Sequence, residues 1–129
     1  VLLGDINVRD ALQKHGDSGI LFLSTGKEID NHTELLDSDA MRQLLRDLRE
    51  QADLVILDSP PVLAVADSLG LARLSDEVLM VCVAGQSHRH ELQLARTLLA
   101  RVGESVSGVV LNKIGEKAGY GYYGRYYYQ

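Results

Sequence analysis

The feature that most constrains the fold is a set of four short aliphatic runs that alternate with helical patterns. The runs are ILFLS (20–24), LVILD (54–58), EVLMVCV (77–83) and VSGVVLN (106–112). Each run is continuously apolar and does not alternate with polar residues, which is typical of strands covered on both faces in a parallel sheet. The sequence therefore predicts an α/β domain with a mainly parallel sheet.

Helical patterns separate the runs. Residues 38–51 carry apolar side chains at helical spacing behind a serine or aspartate cap, and residues 87–102 repeat the pattern ahead of a glycine stop. Residues 64–74 predict a third helix, and residues 8–14 predict a further turn or two. Strands and helices alternating in this order predict right-handed crossovers and a three-layer sandwich.

The composition excludes several classes of protein. The net charge of −5, with no basic stripe, argues against binding of nucleic acid or anionic membrane through charge. The single cysteine, Cys82, excludes a disulfide framework, and we interpret it as a small buried hydrophobe in a reducing compartment. Two histidines and a glutamate in SHRHEL imitate a metal site, but we interpret them as the start of a surface helix. No apolar run approaches the roughly 20 residues that a membrane helix needs.

The block VILDSPPV, residues 55–62, is the most informative for chemistry. It places Asp58 at the end of a predicted strand, and Pro60 and Pro61 prevent the strand from continuing. Ligands of parallel sheets bind outside the carboxyl ends of the strands. Asp58 either caps a turn or is a Walker B aspartate, which holds Mg²⁺ directly or through water while the metal bridges nucleotide phosphates. The double proline favours the second interpretation.

From this block onward the sequence resembles a known family. LVILDSPPVLAVADSLGLARLSDEVLMVCVAGQSHRHELQLARTLLARVGESVSGVVLNKIG, followed by a tyrosine-rich tail, is similar to the bacterial tyrosine kinases of exopolysaccharide assembly, the capsule autokinases. The upstream stretch FLSTGKEIDNHTELLDSDAMRQLLRDLREQAD resembles the segment ahead of Walker B, with His32 where a proline is common. The resemblance covers nearly the whole chain and implies a P-loop NTPase-like fold that uses ATP and Mg²⁺.

The resemblance also implies roles for individual residues. Asp58 would be the catalytic Walker B carboxylate and the metal ligand, and Asp67 would lie close by in the same extended motif. Asn112, at the end of the fourth predicted strand, would contact the nucleotide base, because its amide both donates and accepts hydrogen bonds. Two alternatives stay open: Asp67 is a solvated or capping residue of the third helix, and Asn112 satisfies its own turn.

The tail GYGYYGRYYYQ holds every tyrosine of the chain. The resemblance implies that these tyrosines are autophosphorylation targets that enter the active site of a neighbouring copy, which makes the protein a homo-oligomer. Interspersed glycines keep the segment pliable. Alternatively the tail is a self-associating low-complexity segment. We expect residues 1–117 to form the partial kinase domain and residues 118–129 to form a flexible tail whose tyrosines are Tyr120, Tyr122, Tyr123, Tyr126, Tyr127 and Tyr128.

A phosphate-binding loop is missing from the 129 residues. The motif G-x-x-x-x-G-K-[ST] does not occur, because STGKEI has Leu21 and Glu28 where the motif needs a glycine and a hydroxyl. The family's P-loop strand and its second, aspartate-bearing Walker motif are expected upstream of Val1. Without that strand, we expect LVILD to expose unpaired backbone and apolar surface. The chain is then either an N-terminally incomplete kinase or a degenerate relative kept as a partner or substrate.

A prediction about the isolated chain follows from the missing loop. We expect the 129 residues alone to be marginally folded and to bind ATP without useful affinity, because no backbone amides cradle the phosphates. Isothermal titration calorimetry with ATP and MgCl₂ measures this directly. Tight, magnesium-dependent binding to the isolated chain would overturn the prediction.

The leading interpretation is an ATP-dependent protein-tyrosine autokinase that regulates exopolysaccharide or capsule biosynthesis. The family implies a transmembrane chain-length regulator as activating partner and no nucleic-acid partner. It also implies a cytoplasmic location at the inner face of the membrane, through that partner or an upstream region. The alternatives are a deviant Walker ATPase of the partitioning and cell-division type, and a non-catalytic phosphoacceptor or pseudokinase module.

Overall fold

The structure, a computed structural model, describes residues 1–26 and 32–114. The chain divides into two units, Val1–Leu74 and Ser75–Gln129. All six tyrosines lie outside the described residues, so the tail and its boundary at residue 118 stay predictions.

Helix packing builds the first unit. Its elements are α1 (Val8–Ala11), β1 (Gln13–Lys14), β2 (Leu21–Phe22), α2 (His32–Leu36), α3 (Asp39–Arg49) and α4 (Asp67–Ala72). The predicted cap of α3 is confirmed, since the Ser38 hydroxyl accepts the Met41 N–H at 3.3 Å. The apolar face of α3 supplies most of the buried cluster at the centre of the unit, which consists of Val8, Met41, Leu44, Leu45 and Leu71.

The first predicted strand, residues 20–24, forms a different structure from the one expected. Only Leu21–Phe22 is a strand, and it pairs antiparallel with Gln13–Lys14. The connecting loop contains Gly16 and Gly19, both with positive φ, which lets the chain reverse within a few residues. This local hairpin replaces the predicted parallel pairing, and Phe22 is 58% exposed, so the prediction of a buried strand is wrong here.

The second predicted strand, residues 54–58, has no pairing partner among the described residues. A strand exists only through the ladder it shares with a neighbour, and within this unit the described residues offer that segment no neighbour. Leu57 packs against the buried cluster, whereas Leu54 and Ile56 are 75% and 81% exposed. The expected exposure of apolar surface in this segment is confirmed.

The second unit confirms the predicted strand–helix–strand order. Its elements are β3 (Leu79–Val83), α5 (Arg89–Arg101) and β4 (Gly108–Asn112). The two strands are parallel, in a register that runs from Leu79 opposite Gly108 to Val83 opposite Asn112. Gly103, with φ of 88°, ends the helix as predicted. The predicted parallel arrangement is thus present in one two-stranded sheet, and the described residues do not form the larger three-layer sandwich.

Two smaller predictions are also confirmed in this unit. Cys82 is buried, and its Sγ lies 3.6 Å from the carbonyl oxygen of Val110. The SHRHEL segment begins α5, where the Glu91 carboxylate accepts the His88 N–H at 2.9 Å. Within residues 1–26 and 32–114, no group of three or more potential metal ligands occurs, and no helix is long and apolar enough to cross a bilayer.

Candidate functional site

Asp58 is the last residue of segment 54–58, which the sequence predicted to be a buried strand and which is not a strand in the structure. Its side chain is exposed and makes no hydrogen bond or ion pair with any other described residue. The turn-capping alternative therefore has no supporting contact in this part of the chain. Mg²⁺ in nucleotide sites is held by one or two carboxylates together with waters and phosphate oxygens. The Asp58 carboxylate, which has no hydrogen bond or ion pair among the described residues, fits this requirement as the one ligand that the protein would supply.

The loop after Asp58 is held by its two prolines and by hydrogen bonds to their carbonyl groups. The two prolines restrict φ and donate no backbone hydrogen bond, so the chain leaves the segment at a fixed angle. The Pro61 carbonyl accepts the Ala64 N–H at 2.9 Å, which closes a turn. The Pro60 carbonyl accepts the Ser68 hydroxyl at 2.5 Å. This second bond ties the loop to the first turn of α4.

Asp67 is the first residue of α4 and is only 9% exposed. Its Oδ1 accepts the Thr33 hydroxyl at 2.7 Å, and its Oδ2 lies 3.3 Å from Nε2 of His32. Both partners belong to the first turn of α2. The side chain is therefore neither solvated nor a helix cap, and both of its oxygens are engaged. Its predicted role toward the nucleotide stays a prediction.

Two polar partners in this arrangement escaped the sequence analysis. Thr33 lies 34 residues before Asp67, and no local spacing predicts a contact over that separation. Ser68 is buried at 7% exposure, although serine at a helix start is ordinarily solvated or capping. The sequence offered one signal for a contact in this region: His32 stands where a proline is common in the family that the sequence resembles.

Asn112 is the last residue of β4, at the carboxyl end of the parallel pair, as predicted. Its side-chain Oδ1 accepts the Lys113 N–H at 2.7 Å, and its carbonyl oxygen accepts the Ala84 N–H at 2.9 Å. The first of these bonds is the own-turn contact that the sequence analysis left open. The Nδ2 group has no partner among the described residues, and Oδ1, which has two lone pairs, accepts only the Lys113 N–H there, so the side chain can still both donate and accept. Contact with a base stays a prediction.

Comparison with named proteins places the sequence among bacterial tyrosine kinases. The chain is 32% identical over 126 residues to the tyrosine-protein kinase YwqD of Bacillus subtilis, covering 96% of this chain and 53% of that kinase. It is 34% identical over 121 residues to the tyrosine-protein kinase Etk of Escherichia coli, covering 94% of this chain and 17% of that kinase. No protein-family model matches the chain.

Solved kinase domains share the fold. The kinase domain of Escherichia coli Etk matches with a TM-score of 0.84 at 33% identity, over 91% of this chain and 46% of that one. The VpsO kinase domain matches with a TM-score of 0.83 at 32% identity, over 88% of this chain and 56% of that one. The chain thus spans about half the length of these domains and of YwqD. By sequence and by fold, the chain matches the C-terminal part of the catalytic domain of bacterial tyrosine kinases.

Proposed function

We propose that this chain is part of an ATP-dependent protein-tyrosine autokinase that regulates exopolysaccharide or capsule biosynthesis. The observation that carries the proposal is the match of nearly the whole chain to the kinase domains named above. The unengaged carboxylate of Asp58, at the end of an aliphatic segment and before two prolines, supports it. The 129 residues contain no Walker A motif, so the proposal requires a phosphate-binding loop supplied by polypeptide outside them.

In this proposal Asp58 holds Mg²⁺, directly or through a water molecule. When bound there, Mg²⁺ would supply positive charge that stabilises the phosphate oxygens of ATP. Asn112 would contact the adenine edge, where its Nδ2 donates and its Oδ1, which accepts one hydrogen bond from the Lys113 amide, has a second lone pair to accept another. The protein's share of catalysis is then positioning and preorganised charge.

The phosphate acceptors in the proposal are the tail tyrosines. The tail of one copy enters the active site of another, so the protein works as a homo-oligomer. The proposed activator is a membrane chain-length regulator, which places the kinase in the cytoplasm at the inner face of the membrane, with no role for nucleic acid. These statements rest on the family resemblance, and residues 115–129 lie outside the described part of the chain.

The test is phosphotyrosine mapping of the complete protein. After incubation with ATP and MgCl₂, mass spectrometry is expected to find phosphate on the tail peptides, and a variant with all six tyrosines replaced by phenylalanine is expected to carry none there. ATP hydrolysis without phosphotyrosine would favour the deviant Walker ATPase. Phosphate on the tail only when a second, active kinase is added would favour a phosphoacceptor module.

A further inference from the structure

We propose that Thr33 and Ser68 are positioning residues for the metal carboxylate Asp58, and that Asp67 acts with them and does not itself bind metal or nucleotide. The two hydrogen bonds involved, Thr33 to Asp67 and Ser68 to Pro60, are called the α4 clamp. The clamp connects α2, the start of α4 and the loop that follows Asp58. The inference rests on the proposed function, because it concerns the placement of that site's carboxylate.

The start of α4 is held by tertiary contacts. The helix has six residues, and its N-cap, Ala66, offers no side-chain acceptor to the first turn. Helices this short do not persist on their own hydrogen bonds. Asp67 and Ser68 are both buried, and each is hydrogen-bonded to a segment outside the helix. The packing of Leu71 in the buried cluster holds the body of α4, and the clamp joins its first turn to α2 and to the loop at Pro60.

The clamp reaches Asp58 through a stiff loop. The Ser68 hydroxyl fixes the carbonyl of Pro60, and the two prolines leave little torsional freedom around that carbonyl. The Asp58 side chain makes no hydrogen bond or ion pair with another described residue, so the position of the carboxylate depends mainly on the backbone that carries it. A movement of Pro60 therefore moves the metal ligand directly. Mg²⁺ requires near-ideal octahedral geometry, so a displaced carboxylate is expected to bind the metal more weakly.

The hydrogen bonds of Asp67 indicate that its carboxylate holds α4 to α2 and is not a metal ligand. A buried carboxylate is stable only when its oxygens are paired, and here Thr33 and His32 already engage both of them. The Thr33 bond, at 2.7 Å to a charged acceptor inside the unit, belongs to the stronger class of hydrogen bonds. The His32 pair is weaker, because the histidine side chain is 59% exposed and such pairs contribute little. Thr33 is thus the principal partner.

The test measures autophosphorylation of the complete protein against Mg²⁺ concentration. In Thr33→Val and Ser68→Ala we expect the Mg²⁺ concentration for half-maximal rate to rise about tenfold, while the rate at saturating Mg²⁺ stays within about threefold. Thr33→Ser keeps the hydroxyl and is expected to stay within about twofold of the wild type. The double variant Thr33→Val/Ser68→Ala is expected to match the worse single variant, because both bonds act on one loop.

Two outcomes would overturn the inference. In the first, Asp67→Asn shifts the Mg²⁺ dependence while Thr33→Val and Ser68→Ala do not, which identifies Asp67 as a direct ligand. In the second, the variants lower the rate equally at every Mg²⁺ concentration, which is a loss of folded protein and not of positioning.

A second measurement separates this inference from the proposed function. Amide hydrogen exchange across residues 62–68 of the complete protein needs no kinase activity. We expect faster exchange there in Thr33→Val than in Thr33→Ser. A wild-type protein without kinase activity but with this difference refutes the proposed function alone. Identical exchange in the two variants refutes the clamp, whatever the activity.

Discussion

Replacing Asp58 by asparagine is expected to lower the rate of autophosphorylation of the complete protein by about 100-fold or more. Asparagine has nearly the same shape as aspartate but no negative charge, so it is a poor ligand for Mg²⁺. Removing one preorganised electrostatic group from an active site typically costs about 10²- to 10³-fold in rate. The folded structure is expected to persist, because Asp58 is exposed and has no partner among the described residues.

The matched control is Asp53→Asn, which removes the same charge immediately before the same segment. Asp53 is also exposed, but it precedes residues 54–58, whereas Asp58 is at the end of that segment next to the prolines. Initial rates of phosphotyrosine formation over a range of MgCl₂ concentrations compare the two variants. Equal, small effects of both substitutions would mean that Asp58 contributes only to net charge, and the metal role would be abandoned.

The parts of the fold that the sequence predicted well are those encoded locally. The apolar stripe of α3 and its Ser38 cap lie within about three turns of helix, and the structure confirms both. The β3–α5–β4 unit is similar, because two aliphatic runs joined by one helix have few alternative arrangements. In both cases the residues that form the sequence pattern and the residues that they contact are close together in the chain.

The strand predictions failed where the structure of a segment depends on which other strand it pairs with. ILFLS has the composition of a buried strand, but Gly16 and Gly19 favour a local hairpin with Gln13–Lys14. LVILD has the same composition, yet no described strand of its unit pairs with it. Composition specifies that a segment can be a strand. It does not specify which strand edge the segment pairs with, and that pairing decides whether the side chains of the segment are buried.

In the candidate site, too, features set by adjacent residues could be predicted from the sequence, and contacts set by tertiary packing could not. The local effect of Pro60 and Pro61 on the residues before them could be predicted from the sequence, but the strand that Asp58 was expected to end could not, because it needs a pairing partner. Asn112 at the end of β4 followed from the run that precedes it. The partners of Asp67 could not be predicted in this way, because Thr33 reaches it only through the packing of α2 against α4.

The largest expected effect on stability comes from Leu45 on the buried face of α3. In the 129-residue chain, Leu45→Ala is expected to lower the free energy of unfolding by about 2–5 kcal/mol, through lost burial and the cavity left behind. The described core contains no side chain that is completely enclosed, which favours the lower part of that range. Ordinary domains have about 5–15 kcal/mol in total, and the isolated chain, expected to be only marginally folded, has little margin for a loss of this size. The variant is therefore expected to show a much lower urea midpoint by circular dichroism.

Leu54→Ala makes the same chemical change at a site that is 75% exposed, and is the control for burial. Because little apolar surface is removed from contact there, the free energy of unfolding of the 129-residue chain is expected to change by less than about 0.5 kcal/mol. In the complete protein the same substitution is expected to cost more if another strand covers residues 54–58, since Leu54 would then be buried. Equal costs for Leu54→Ala and Leu45→Ala in the 129-residue chain would contradict the exposed, unpaired state of this segment.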